Sequence, residues 1–362
     1  MRLFHTGKEG LVGLDIGASS VKLVELQRGR SGYRLRGSAI VPLPQGTVIE
    51  NAIHDRQGVV SAIGVAMEQA GARSKRAAIA ISGNAVIVKM ILMPRMNELD
   101  LEEQIAYEAE QYVPFDLDEL YLDFHVLGPS RKDPEQLETV VVACKRDVVD
   151  DYRSLLEEAG LELACVDCSV FTLNNVAGVV GEVSSEDIYH QDWSNRHAPQ
   201  TTALANIGAS LINMTVLIRD RLTFVRDHFY GGNQLTEAIQ KHYGLSFEQA
   251  ERMKLDRFSE LDAGLVAGYF DDLASELMRS LEFYSAYHSK FPVERLLLSG
   301  GVALMPGITD ALAERTGMQV DVIHPFPTIA IPPHIVPDAQ ALMQVGPRLV
   351  VPIGLALRAF DP

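Results

Sequence analysis

Two stretches of this chain carry the same phrase. Leu14-Asp15-Ile16-Gly17-Ala18-Ser19 stands near the start and Ala205-Asn206-Ile207-Gly208-Ala209-Ser210 just past the middle. Each ends an apolar run and is followed by another, Val21-Lys22-Leu23-Val24 in the first copy and Ile212-Asn213-Met214-Thr215 in the second. Both read as tight hairpins. A Gly-Ala-Ser turn presents successive backbone N–H groups to whatever lies above it, and such a nest favours an anion. Two nests facing each other across a cleft would hold a polyphosphate from both sides. Asp15 closes a buried strand, where an acid without a partner is costly. A hydrated Mg²⁺ on the phosphates would compensate it; an aspartate that merely caps the turn is the alternative. Ser19, Ser20 and Lys22 are further candidate phosphate donors.

Two more glycine pairs follow the second phrase. Gly231-Gly232 opens a predicted helix on which Glu237 and Lys241 fall on one face four residues apart, as candidate ligand contacts or as a plain surface ion pair. Leu296-Leu297-Leu298-Ser299-Gly300-Gly301-Val302-Ala303 is a strand running into a double glycine, a turn that lets backbone approach a flat ligand such as an adenine ring. Cys165-Val166-Asp167-Cys168 is a lone C-x-x-C inside a predicted strand, with no second pair to make a zinc site. These cysteines, with Cys144, read as buried small hydrophobes.

The elements that must position these residues follow from length and pattern. A chain of 362 residues has room for two domains with their own cores. Its formal charge of −16 disfavours nucleic acid, whose affinity comes from Lys and Arg on phosphates. The start lacks the apolar stretch of a secretory signal, and no window is expected to approach the roughly 18 to 20 apolar residues that span a bilayer. A cytoplasmic protein is expected.

Strands are predicted at 11–15, 21–26 and 33–41, a helix at 56–70 ended by Gly71, and a short strand at 77–81. Residues 85–161 read as an inserted module: strand 86–92, helix 99–112 with solvated glutamates, strands 120–127 and 139–144, and helix 148–159 stopped at Gly160. Strand 163–166 and a helix near 169–180 return to the main body. The polar run 184–202, with His190, Trp193 and His197, is expected to be a connecting loop between halves. Beyond the second hairpin come strand 222–227, helices 233–243, 247–262 and 265–291, strand 296–298 and helix 307–316, with a tail that turns at Pro352 into an apolar helix at 354–358.

The series of two phosphate phrases, a Gly-Gly helix start and a third glycine turn resembles the actin-like ATPase superfamily, an α/β fold of two RNase H-like lobes. Within it the chain is similar to the PilM family of type IV pilus assembly, in the FtsA-like branch that carries a small inserted α/β subdomain. The residues that carry the likeness are Gly13 to Gly17 with Ser19-Ser20-Val21-Lys22, Gln111-Tyr112-Val113-Pro114-Phe115, Gly231-Gly232-Asn233-Gln234-Leu235-Thr236 and the ending Gly354-Leu355-Ala356-Leu357-Arg358. The resemblance implies a first lobe of residues 1–84, 162–200 and 346–362, an insert of 85–161, a second lobe of 201–232 and 288–345, and a helical subdomain of 233–287.

It also implies ATP with Mg²⁺ between the lobes. The ligands would be Asp15 (the metal reached through water), Gly17, Ala18, Ser19, Ser20, Lys22, Asn206, Gly208, Ala209, Ser210, Gly231, Gly232, Glu237, Lys241, Gly300, Gly301 and Val302. The implied partner is the N-terminal cytoplasmic peptide of the inner-membrane protein PilN, in a groove with Glu108, Tyr112 and Phe115 as candidate lining. PilO is reached indirectly, the pilus assembly ATPases are contacted on the cytoplasmic side, and the membrane is met only through partners. Position 206 is Asn where the superfamily's second phosphate motif usually has Asp, so nucleotide binding with slow or absent turnover is expected. An FtsA-like filament protein and, further off, a kinase on the same fold are the competing readings.

Overall fold

The computed structural model describes residues 10–29, 32–130, 133–181, 201–219, 221–333, 335 and 338–361. The first lobe opens with the antiparallel hairpin of β1 (Val12–Ile16) and β2 (Ser20–Gly29), extended by β3 (Gly32–Pro42). A two-residue hairpin, β4 (Val48–Ile49) and β5 (Ala52–Ile53), leads to α1 (Arg56–Ala70), and β6 (Arg76–Ile81) returns parallel to β1. The Asp55 carboxylate caps α1 by accepting from the Gly58 N–H, and Gly71 at φ 58° stops it.

The inserted sheet is antiparallel, with β7 (Val86–Pro94), α2 (Glu98–Ala109), β8 (Leu120–Pro129) and β9 (Gln136–Lys145) in the strand order β7-β9-β8. Leu101 and Ile105 of α2 pack on Met93 and Val141 of this sheet. The helix ends at Ala109 rather than at 112, because Pro114 biases Val113 away from helical backbone and the chain closes in two tight turns.

From there α3 (Arg146–Glu158), β10 (Glu162–Cys168) and α4 (Ser169–Val180) return to the first lobe. Sequence pattern assigns α3 to the insert, but its buried Val149, Tyr152, Leu155 and Leu156 join the core of Val12, Leu14, Ile63 and Ile79 beneath the first sheet. The polar run with His190, Trp193 and His197 lies outside the described residues up to 200, and 201–202 already belong to the next strand.

The second lobe repeats the first. The hairpin β11 (Thr201–Ile207) and β12 (Ile212–Ile218) is extended by β13 (Arg221–His228). Then come α5 (Gly232–Tyr243), α6 (Phe247–Asp256), α7 (Ala263–His288), β14 (Arg295–Ser299), α8 (Ile308–Thr316), β15 (Gln319–Val322), α9 (Ala339–Val345) and α10 (Val350–Leu357). The two large sheets have matching orders, β10-β6-β1-β2-β3 and β15-β14-β11-β12-β13, so the repeated phrase marks a duplicated fold.

One apolar core spans both lobes, joining Leu11, Val24 and Leu26 of the first sheet to Leu204, Leu217 and Leu297 of the second. The chain's last helices run through it. Pro352 makes no turn: it sits in the first turn of α10, where its missing N–H is no loss, and helix continues past it. The helical run Ala339–Phe360, 22 residues, has the length and apolar composition of a membrane-crossing segment, contrary to the sequence expectation that no window would approach this. Every residue of α10 is buried within the protein's own core, which accounts for that composition.

This helix touches backbone on two sides. A Cβ on Gly13 of β1 would lie 2.0 Å from the Pro352 carbonyl oxygen, and one on Gly354 would lie 2.5 Å from that of Thr172 in α4. Gly64, on α1, has nothing within 4 Å of the equivalent point. Gly13→Ala is therefore expected to cost about 3 kcal/mol or more by overpacking. Gly64→Ala should gain roughly 0.5–1 kcal/mol from helix propensity; denaturant midpoints of the two variants against the parent check both signs.

Candidate functional site

The two hairpin turns line one cleft between the lobes. Asp15, Gly17, Ala18, Ser19 and Lys22 come from the first hairpin and Asn206, Gly208, Ala209 and Ser210 from the second. Each turn is closed the same way, by Gly17 N–H on the Ser20 carbonyl (3.1 Å) and Gly208 N–H on that of Leu211 (2.9 Å). Among the described residues, no hydrogen bond within the protein engages the N–H groups of Ala18, Ser19, Ala209 or Ser210. Four backbone donors at the cleft are thus left for a ligand, and backbone N–H groups are rarely left without acceptors once water is excluded.

Equivalent positions of the two hairpins do different things. Asp15 and Lys22 are cross-strand partners, and the Lys22 ammonium lies 2.6 Å from the Asp15 carboxylate. The acid at the end of the buried strand thus has a lysine partner. Asn206 and Asn213 hold the same places in the second hairpin, and the pairing continues from Asn213 to Asp227 on β13. The Asn206 amide donates to Asn213 Oδ1 (3.1 Å), Asn213 Nδ2 donates to Asp227 Oδ1 (2.8 Å), and the Ser299 hydroxyl donates to Asn206 Oδ1 (3.3 Å). Burial raises the Asp227 carboxyl above the usual range, against the hydrogen bonds from Asn213 and the Gly83 N–H. The signal for this row is three polar residues in cross-strand register inside an apolar sheet; Asn213 and Asp227 belong to no motif in the sequence.

Other wall residues also belong to no motif in the sequence. Asn51, Ser82, Tyr152 and Ser169 line the first-lobe side. The Tyr152 phenol is pushed up to about 12 by burial and by the nearby Asp15 charge. Asp15 is the one carboxylate among the lining residues, and no group of three or more His, Cys, Asp or Glu suited to a metal occurs among the described residues.

The remaining sequence candidates stand around the cleft without lining it. Ser20 is buried at the start of β2. Gly231 and Gly232 support the second turn: Gly232 N–H donates to the Gly208 carbonyl (3.0 Å) and Asn233 N–H to that of Ala209 (2.8 Å). The N-terminus of α5 thereby faces the turn's carbonyls, which leaves the turn's own N–H groups to the cleft. Behind it, buried Lys254 of α6 donates to the Gly232 carbonyl (3.1 Å) and Thr236 Oγ1 (2.7 Å) and pairs with Glu251 (2.6 Å). Burial draws this lysine below its ordinary value, against the pull of Glu251; its place four residues after buried Ala250 is the clue in the sequence. Gly300, at φ 89°, passes so close to β11 that a Cβ would lie 2.3 Å from the Ile207 carbonyl oxygen, and Val302 is buried beside Gly232. Glu237 and Lys241 are exposed on α5.

A second, apolar and shallow pocket lies on the inserted sheet, lined by Ile87, Lys89, Ile91, Ala109, Tyr112, Val113, Val141 and Ala143. Of the three groove candidates it contains Tyr112. Glu108 instead accepts from Gln104 and Gln111, and Phe115 lies under the Lys145 ammonium, 3.9 Å from its ring centre.

A family profile described as Type IV pilus assembly protein PilM matches residues 13–360. Among solved structures, a chain of the PilM-PilN type IV pilus biogenesis complex is similar at a TM-score of 0.83 and 28% identity, over 98% of this chain and 100% of that one. Ethanolamine utilization protein EutJ from Carboxydothermus hydrogenoformans follows at 0.56 and 17%, over 96% and 88%, a likeness of fold alone. The architecture is the actin-like ATPase fold that the sequence resemblance implied.

The support of the second turn by α5 is testable. A Cβ on Gly231 would lie 2.5 Å from the Gly208 carbonyl oxygen and 2.7 Å from that of Ala209. Gly231→Ala should push the turn out of place and lower affinity for an adenine nucleotide about tenfold or more, as displaced binding groups do. Titration calorimetry of variant and parent reads this directly, and equal affinities would show that the second turn takes no part in binding.

Proposed function

Since the chain belongs to the family of type IV pilus assembly protein PilM, we propose that it is a nucleotide-binding adaptor of the pilus assembly complex. In this reading it takes the N-terminal cytoplasmic peptide of PilN on the inserted sheet and sits beside the inner membrane through that partner. The observation that carries the reading is the likeness over nearly the whole chain to the PilM-PilN complex. Contact with PilO through PilN, and with the assembly ATPases, belongs to the same reading.

The apolar pocket of Ile87, Ile91, Tyr112 and Val113 supports the peptide role, because it offers a docking place for an aliphatic or aromatic side chain beside the Lys89 stem. For the cleft, the four unengaged N–H groups of the turns, with Lys22, fit a polyphosphate. Mg²⁺ would ride on the phosphates and keep most of its waters, with Asp15 as an outer contact. Bound there, the ion would neutralise phosphate charge; the chain's residues bind and orient.

Apart from Asp15, which is paired with Lys22, the polar walls of the cleft are neutral: Asn51, Ser82, Tyr152, Asn206 and Asn213 supply amides and hydroxyls but no unpaired carboxylate to take a proton from water. Losing one such base typically slows turnover about 10²–10⁴-fold. Slow or absent hydrolysis is the expectation, with the nucleotide holding the lobes together.

The experiment is calorimetry with a synthetic peptide of the PilN cytoplasmic terminus against the whole chain and against Val113→Asp, which places a charge in the apolar pocket. The parent should bind and the variant should lose about tenfold or more. Absence of binding by the parent, with or without ATP, overturns the adaptor reading. Phosphate release by the pure protein is expected to stay far below about 1 s⁻¹, under the usual enzymatic range, and steady release at a few per second would contradict the neutral wall.

A further inference from the structure

The row of Asn206, Asn213 and Asp227 does not end inside the second sheet. Asp227 Oδ1 accepts from Asn213, and its other oxygen accepts the backbone N–H of Gly83, a residue of the first lobe. Gly83 lies in the short turn between β6 and β7, the strand by which the chain enters the inserted sheet. That turn is gripped from both sides. The Asn51 amide donates to the Ser82 carbonyl at 2.8 Å from within the first lobe. Gly83 itself, at φ 66°, is so confined that a Cβ would lie 2.7 Å from Asn51 Nδ2 and 3.2 Å from Phe229 Cζ of the second lobe. Four residues further on, Ile87 begins the series Ile87, Lys89, Ile91 that lines the apolar pocket.

We propose that Asp227 is a positioning residue that ties the phosphate hairpin of the second lobe to the hinge of the inserted sheet, so that a nucleotide in the cleft sets the angle of that sheet. This rests on the reading of the cleft as a nucleotide site. The chain of contacts has no slack. Asn213 accepts from Asn206 through its oxygen and donates to Asp227 through its nitrogen, so neither amide can turn over without breaking a bond on each side. Both oxygens of the half-buried carboxylate are engaged, and leaving either donor unmatched away from water is costly. A ligand that draws the N–H groups of Ala209 and Ser210 toward itself moves the hairpin bearing Asn206 and Asn213. Asp227 then either follows, carrying Gly83 and the root of β7 with it, or gives up a buried hydrogen bond. Two groups outside the cleft lining thereby link its occupancy to the pocket on the inserted sheet, through an element held by both lobes.

The test is a distance measurement between spin or fluorescent labels at Glu102→Cys on α2 and Glu314→Cys on α8, in a chain with half-buried Cys165 replaced by Ala, with and without a non-hydrolysable ATP analogue. The parent should show a shift on adding the analogue. Asp227→Asn keeps size and shape but turns an acceptor into a donor facing another donor; it should bind the analogue within about threefold of the parent, as a residue outside the lining does. Its distance shift should fall by about half or more. An undiminished shift in a variant that binds overturns the proposal. If the variant does not fold, amide exchange in the parent decides: the analogue should slow exchange at Gly83 about fivefold or more, and an unchanged rate overturns the proposal. A parent that binds no nucleotide fails at the earlier step, and the reading of the cleft falls together with this one.

Discussion

The placing of both cleft hairpins depends on one helix touching backbone. α10 meets β1 at Gly13 and α4 through its own Gly354, at separations that leave no room for a methyl group on either glycine. β1 carries the first hairpin. Just before α10, the carbonyl of Pro347 accepts the N–H of Gly300 at 2.8 Å, at the end of the strand that runs parallel to β11 and so borders the second hairpin. One short helix thus fixes the distance between the two turns, within a core to which both sheets contribute. A close-packed interior transmits such a constraint because it yields little. The same burial explains why this segment is apolar all round: it has no solvent face to keep polar.

On that frame the two hairpins share a backbone and differ in charge. In the first, an ion pair whose side chains are 15% and 20% exposed stands at the cleft. An anion arriving there meets Lys22 already shared with Asp15, so it is drawn by one lysine and by N–H dipoles rather than by a block of positive charge. In a chain of net charge −16 this confines anion affinity to the turns themselves. In the second hairpin the row is neutral where it faces the cleft, and its single acid stands two strands away, where it meets the other lobe.

Much of this was legible in the sequence, for reasons that can be named. The repeated phrase between alternating apolar runs announces two hairpins, and the matching strand orders follow once each hairpin gains a third strand and parallel neighbours. What failed to show was partnership. The stripe Val149, Tyr152, Leu155 and Leu156 says that α3 has an apolar face, not which sheet it covers, and it covers the first-lobe sheet rather than the inserted one. Pro352 reads as a breaker unless the helix start is known. Gly231 and Gly232 read as ligand contacts in the sequence, whereas in the fold the Gly232 N–H serves the Gly208 carbonyl, the Gly231 N–H serves Gln234 Oε1, and the Gly231 Cα lies against the backbone of the second turn. Asn213 and Asp227 become a pair only when register is counted across three strands, and the partner of Asp227 beyond them is a backbone N–H that no side-chain pattern can reveal.

The asparagine at 206 then has a physical reason besides the chemistry it removes. With a carboxylate there, Asn213 would face an acid on each side, and its amide nitrogen would have to serve both while its oxygen lost its donor. Two carboxylates separated by one amide in this sheet would raise each other's proton affinity. Burial already raises the Asp227 carboxyl, and a second acid in the row would raise it further, against the charge that favours its hydrogen bond from Gly83. A neutral amide at 206 avoids that conflict. The acid of this row thus stands at Asp227, where it accepts from Gly83 of the first lobe, and not at 206 beside the turn, so it serves the contact between the two halves.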